Sequence, residues 1–315
     1  MTGIASNQLR SAFVAESTVG TTPSSPSFTT SDVPINMTAA PNVIEHRSLA
    51  AKGEAVETAI AGIDVTGNMS GTLVYGAYDT FLESLLQGAY STNVLKSAKA
   101  TKTVTVENGI NAGVGGTLTM MRYTGVEATG GSLTLASNAE IGFSFDLTGI
   151  GSLDTTTSAI GSSSYTDQTE RAPLTSGVDV GTIAFAGYTL DAFESATINF
   201  NYEGREAQTK LGSSFTKDGI TRGALLPEIT ARVYVDTNFA TLYNAARDTN
   251  HSLFAVTFPL GSVSTKKYTL VFPKCKFVGS NIDFTGTNAM QDVTIRAMYD
   301  EATEDASVKL TRAVS

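Results

Sequence analysis

The chain has 315 residues, 41% hydrophobic and 16% charged, with 29 glycines, one cysteine and no tryptophan. A formal charge of −9, with no Lys/Arg cluster set among aromatics, argues against tight nucleic-acid binding, which needs phosphate neutralisation. No run nears the ~20 apolar residues of a membrane-spanning helix, a single cysteine excludes an internal disulfide framework, and the length alone points to two domains.

The first distinctive stretch is FVAESTVGTTPSSPSF, residues 13–28. It is not read as a secretory signal, because Glu16 ends the short apolar run of Phe13, Val14 and Ala15. The Thr, Ser, Gly and Pro that follow give extended polar chain. Phe13, Val14 and Phe28 are odd residues to leave in water, so residues 1–40 are read as an extended arm that a neighbouring subunit holds, a loose tail being the alternative.

Beyond the arm, apolar and polar residues alternate with the period of half-buried strands. The pattern runs through Val104 and Val106, then Ile141, Phe143, Phe145 and Leu147, then Ile198, Phe200 and Tyr202. It resumes at Ile229, Ala231, Val233 and Val235, at Phe254, Val256 and Phe258, at Tyr268, Leu270 and Phe272, and at Val293 and Ile295. This predicts an antiparallel all-β protein whose sheets each have one wet face. Within such a strand Asp64 and Thr66 lie opposite Ile63 and Val65.

Two segments change period. Phe81, Leu82, Leu85, Leu86 and Ala89 make one helical stripe, with Thr80 and Glu83 spaced as a capping box, Asp79 at the start and Gly88 at the end. Phe239, Leu242, Tyr243 and Ala246 make a second stripe, with Asp236 or Thr237 as its cap. DTFLESLLQGA from Asp79 lies over DTNFATLYNAA from Asp236, and the strands GGSLTLASNAEIGFSFDLTG from Gly130 lie over GSNIDFTGTNAMQDVTIRAMYD from Gly279 with one residue inserted. The order strands, helix, strands thus occurs twice, which points to an internal duplication. The expected units are 41–150 and 182–315, joined by a Ser/Thr/Gly-rich linker or surface loop over 151–181. Residues 107–116, ENGINAGVGG, are read as a glycine-rich hairpin tip.

Chemical motifs are missing from this sequence. The glycine-rich tip lacks the Gly-Lys-Ser/Thr ending of a phosphate cradle, and GxSxG, HExxH, paired CxxC and EF-hand patterns do not occur. Cys275 is expected to be an inert buried thiol, since neither His46 nor His251 stands in a motif that would activate it. The same two histidines are too few to hold a metal. Asn36-Met37-Thr38 and Asn68-Met69-Ser70 match the glycosylation pattern only as a by-product of composition. No catalytic, cofactor or metal site is expected; the sequence reads as a building block.

ESTVGTTPSSPSF, SGTLVYGAYDTFLESLLQGAY from Ser70 and GSLTLASNAEIGFSFDLTGIG from Gly131 resemble a major tail tube protein of long-tailed, non-contractile (siphovirus-type) bacteriophages. ARVYVDTNFATLYNAARD, together with DVTIRAMYDEAT (Asp292 to Thr303) and ASVKLTR (Ala306 to Arg312), resembles the second half of the same family. The second helix departs from the first in carrying Ala240 and Tyr243 where the first has Glu83 and Leu86. The resemblance implies a β-sandwich or barrel with flanking helices, whose sheets join around a ring into a β-lined channel and whose rings stack. It implies a structural protein of the virion tail, assembled in the host cytoplasm, with itself, the tape measure protein, DNA in the lumen, and terminator and distal tail proteins as partners. Duplication within the chain favours three chains per pseudo-six-fold ring over six. Acidic walls would repel phosphate, although which acids face the lumen does not follow from sequence. A β-sandwich binding module, a secreted all-β hydrolase and another tail component such as a terminator are the competing readings. The absence of tryptophan disfavours sugar stacking, and the absence of motifs disfavours the hydrolase.

Overall fold

The computed structural model describes residues 8–49, 52–111, 118–188, 192–212, 216–248 and 252–313. The first half runs β1 (Leu9–Ala15), β2 (Ser27–Ser31), β3 (Ile35–Arg47), β4 (Ala55–Thr72), α1 (Asp79–Leu85), β5 (Val94–Lys96), β6 (Val104–Asn111), β7 (Leu118–Ala136), β8 (Gly142–Gly149) and β9 (Gly151–Thr156). Then follow β10 (Ser164–Thr166), α2 (Ser176–Asp179), β11 (Ala184–Phe185), β12 (Phe193–Glu203), β13 (Ala207–Gln208), β14 (Gly219–Ile220), β15 (Ala224–Tyr234) and α3 (Phe239–Ala245). The chain closes with β16 (Phe254–Leu260), β17 (Tyr268–Asp283), β18 (Met290–Ala297) and β19 (Lys309–Arg312). The protein is all-β with short helices, as its alternation demands. Both expected helices are present, and α2 is an unforeseen single turn.

The strands share one plan, used twice. Antiparallel pairing gives the order β3-β4-β8-β7, and again β12-β15-β18-β17. β7 and β17 are long enough to serve two sheets. Their first halves belong to a second layer, ordered β1-β6-β7-β9 and again β11-β16-β17-β19. Even the irregularities recur. The β7/β8 register shifts between Ala128 and Gly130, and the β17/β18 register between Phe277 and Gly279. The β6/β7 register shifts between Val104 and Val106, and the β16/β17 register between Phe254 and Val256. A bulge bends a strand and increases its twist, which is what lets one strand pass from layer to layer. The two sets are joined where β12 pairs with the second half of β7, Ser195 to Phe200 against Ala136 to Gly131. Together they make one eight-stranded sheet, β3-β4-β8-β7-β12-β15-β18-β17.

The apolar face of this sheet and the second layer enclose the core. α1 is buried between them: Phe81 stacks on Phe145 of β8 and meets Phe13 of β1 edge-on, while Tyr78 leans on Phe143. Phe81 and Leu85 are wholly excluded from solvent. α3 sits more shallowly, with Leu242 its one buried residue, because it offers fewer large apolar groups. The capping box is not formed. The N-cap is Tyr78, Thr80 lies inside the helix, and Glu83 accepts the Tyr90 N–H at 2.7 Å. Asp79 is engaged elsewhere: it accepts from the Tyr268 hydroxyl at 2.5 Å and pairs with Arg312 at 2.5 Å, tying α1 to the C-terminal strands. At the other end Gln87 takes the left-handed conformation (φ 51°) and donates to Ser84 O, while Gly88 donates to Glu83 O. That is a Schellman ending. Gly88 follows because a Cβ there would stand 2.2 Å from Lys96 O. The N-cap of α3 is Asn238 rather than Asp236 or Thr237; its side chain makes no capping bond, and its backbone N–H donates to Asp236 Oδ1, two residues earlier.

Much of the region read as an arm pairs within its own chain. β1 runs against β6 and β2, with Phe13 opposite Val106, and Phe13 and Phe28 are buried. Counting equivalent pairs, β1 holds the place that β11 holds against β16, where Phe185 lies opposite Val256. Residues 151–181 likewise carry β9, β10 and α2 rather than free chain: β10 pairs in parallel with β2, and Tyr165 stacks on Phe28. Local composition could not show these partners, because the β1–β6 and β10–β2 pairings span 89 to 137 residues. β6 and β7 form the expected hairpin, whose tip over 112–117 lies outside the described residues.

Cys275 is fully buried in β17, and burial pushes its thiol up to about 12. The thiolate is the reactive form. We therefore expect no alkylation of the native protein at pH 8 and full labelling in denaturant, read by intact mass; labelling of folded protein within minutes would contradict the packing.

Candidate functional site: the polar sheet face

Strand pleating sends alternate side chains to opposite faces, and here the two faces differ sharply. Val65, Met69, Phe143, Phe145, Leu133, Ile198, Ile229 and Val293 go inward to the core. Their neighbours go outward, and across the eight strands they are almost all polar. One row reads Ser70, Ser144, Ser132, Asn199, Glu228 and Arg296. Another sets Thr134, Thr197, Thr230 and Thr294 side by side across the β7–β12 junction. Asn36 donates to Asn68 across β3 and β4. As expected, Asp64 and Thr66 are exposed while Val65 is buried.

Charge on this face is arranged around its arginines. Arg232 projects from β15 and meets three carboxylates: Glu194 at 3.0 Å, Asp283 at 2.9 Å and Asp292 at 3.3 Å. Arg296 pairs with Glu228 at 2.8 Å. Asp146 and Asp64 add further negative charge, Asp64 holding Lys217 from a neighbouring loop. Asp283 accepts from the Thr285 hydroxyl and N–H and from Arg232, and these bonds hold its carboxyl down to about 2. The face is thus hydrophilic and net acidic, with its guanidinium groups already occupied, although Lys276 of β17, opposite Arg296, is a cation on it with no carboxylate partner among the described residues. Such a surface wets readily and gives phosphate little to bind.

Two buried carboxylates brace the wall from behind. Glu127, at the elbow of β7, receives Arg205 at 2.8 Å and Arg222 at 2.7 Å, with both Glu127 and Arg205 side chains 1% exposed. Arg205 also donates to Ser84 O and Leu85 O, covering the open carbonyls of α1 with a cation. Because Arg205 and Arg222 follow β12 and β14, this node locks the first set of strands to the second. In the other layer Glu107 is braced the same way, held by Arg10 at 2.7 Å, Arg122 at 2.8 Å and the Tyr165 hydroxyl at 2.7 Å.

The residues singled out for chemistry do not converge. His46 lies exposed on β3 opposite Glu57, and His251 is outside the described residues. Among the described residues no group of three or more His, Cys, Asp or Glu is placed to hold a metal, and no helix is long and apolar enough to cross a membrane. The Arg232 cluster was not foreseen, since its members come from four strands or strand ends; the one local signal was a polar residue between buried Ala231 and Val233.

A family model described as phage tail tube protein matches residues 6–308. No curated protein matches the chain.

Proposed function

Because the chain belongs to the phage tail tube protein family, a structural component of the virion tail, we propose that it polymerises as stacked rings into the tube through which DNA is delivered to the host cell. The eight-stranded sheet is the channel wall, with its polar face toward the lumen. The observation that carries this reading is that face: eight adjacent strands with polar side chains outward and each arginine held by carboxylates. A surface meant to bind DNA would leave its arginines free. The repeated strand order supports reading the chain as two copies of one unit, β11–β19 following the plan of β1–β9, and hence three chains per pseudo-six-fold ring.

Stacking has its own feature. Past Pro41 the β3/β4 hairpin runs on as a pair of exposed strands carrying Val43, Ile44, Val56 and Ile60, each more than half exposed. An exposed apolar hairpin of this length in a soluble subunit is a contact surface awaiting a partner, and we assign it to the next ring. The tape measure protein and then DNA occupy the lumen, and terminator and distal tail proteins close the ends. Assembly takes place in the host cytoplasm.

Negative-stain electron microscopy of the purified chain over a concentration series tests this. Hollow tubes with a regular axial repeat, and top views built from three chains, are the expected result. Six chains per ring would overturn the trimer, and a monomer at every concentration would shift the reading to a binding module.

A further inference from the structure

The two ends of the eight-stranded sheet are open, and the junction inside the chain shows what fits them. Among the described residues β3 pairs only with β4, and the second half of β17 only with β18. These edges are the counterparts of β12 and the second half of β7, which pair with each other. Resting on the ring assembly proposed above, we infer that β3 of one subunit pairs antiparallel with β17 of the next, in the register of the β7–β12 junction, with Asn36 opposite Asp283.

The register follows from matching rows. Gly130, Asp146, Asn68 and Asn36 lie opposite one another in turn, and Gly279, Thr294, Thr230 and Thr197 make the same row in the second set. Asn36 is therefore the counterpart of Thr197. Thr197 lies opposite Thr134, four residues beyond Gly130; four residues beyond Gly279 is Asp283. The faces agree, placing Asn36 and Asp283 on the polar side. On the other side the next pair is Ile35 with Phe284. Phe284 is 73% exposed, whereas its counterpart Leu135 is 4% exposed under the junction, so this aromatic has the solvent exposure expected of a seam not yet made.

The edge of β3 also sets where pairing stops. Ile35 N–H donates to Ser11 Oγ and Ile35 O accepts from Asn108 Nδ2, so the backbone of Ile35 turns away from β4 and is already engaged within the chain; the backbone bonds of the seam therefore begin at Met37, and Ile35 meets Phe284 through side chains alone. By alternation Met37, Ala39 and Pro41 present theirs to the open edge, and Asn36 does not. Proline has no N–H to give. Pairing thus ends at Ala39, the counterpart of Phe200, where the junction within the chain also ends. Asn36 and Asp283 form a non-hydrogen-bonded pair, whose Cα atoms approach to about 4.5 Å, within reach of a disulfide.

The test is Asn36→Cys with Asp283→Cys in the full chain, assembled and mildly oxidised. Both sites are on the surface, and Cys275 is buried. Denaturing gels without reductant should show covalent dimers and trimers, while Asn36→Cys with Ile282→Cys, on opposite faces, should show none. Phe284→Asp should raise the concentration needed for rings at least tenfold. Tubes that form normally yet give no cross-link, or that cross-link in the slipped pair, would overturn the seam and leave the tube reading standing. A chain that never forms rings would overturn both.

Discussion

Glu127→Ala is expected to cost about 3–5 kcal/mol of folding stability, the range for removing one partner of a buried ion pair. The cost arises less from the lost bond than from what remains. Arg205 is buried with a side chain 1% exposed, and without Glu127 its charge keeps the carbonyls of Ser84 and Leu85 and the face of the Tyr202 ring but no counter-ion. Against the 5–15 kcal/mol that separates a folded domain from its unfolded chain, this is a large share. Urea unfolding followed by circular dichroism should show the midpoint falling steeply. Glu127→Met with Arg205→Met should recover much of the loss, since an apolar pair of similar volume leaves no charge uncompensated. A drop of less than 1 kcal/mol for Glu127→Ala would mean that the node does not hold the two sets of strands together.

In the tube proposed above, freeing Arg232 should make the wall sticky. With Asp283→Asn and Asp292→Asn the guanidinium keeps only Glu194, and the same change recurs in every subunit along the wall. Duplex DNA should then be retained by assembled tubes at low salt and released as salt rises, the logarithm of affinity falling by about 0.9 per phosphate contact for each unit of log salt. Retention measured by co-sedimentation at 50 and 200 mM salt separates this from non-specific trapping. Adding Arg232→Ala to the pair should return retention to the parent level. Equal retention with and without Arg232 would dismiss the neutralised-cation account. Mild acid should not mimic the substitutions. The Asp283 carboxyl is depressed in the fold, so its contribution is complete above the ordinary carboxylate range and is lost only as pH falls through about 2. Tubes at pH 4 should therefore still release DNA.

The sequence was most informative where the physics is local. Alternation marked most of the main strands and told the buried face from the wet one, as at Val65 between Asp64 and Thr66. The stripes of Phe81–Leu85 and of Phe239 with Leu242 located both larger helices, and the overlay that put Gly130 on Gly279 put together two residues that follow the same bulge. Failures came where a local pattern was outbid by a distant partner. Thr80 and Glu83 have capping-box spacing, but the Tyr90 N–H takes Glu83 and α1 begins at Tyr78 instead. FVAESTVGTTPSSPSF looked like unpaired chain because its partners, Val104–Asn111 and Ser164–Thr166, lie far along the sequence. The Arg232 cluster joins residues 51 and 60 apart, and no spacing rule connects them.

The unlike ends of the sheet have a geometric consequence. An edge that pairs with its own kind makes a closed pair and stops there; in the seam proposed above β3 meets β17, a different edge, so every addition would leave the same two ends exposed as before. Nothing in the chemistry of such a joint counts subunits. Growth halts only when the accumulated turn brings the last edge back to the first, so the number of chains in a ring is an angle rather than an affinity. On the proposed seam that angle is the one inside each chain, at the junction of β7 with β12. A substitution that flattened or sharpened this one internal bend would alter the circumference of the whole assembly without touching any surface between subunits.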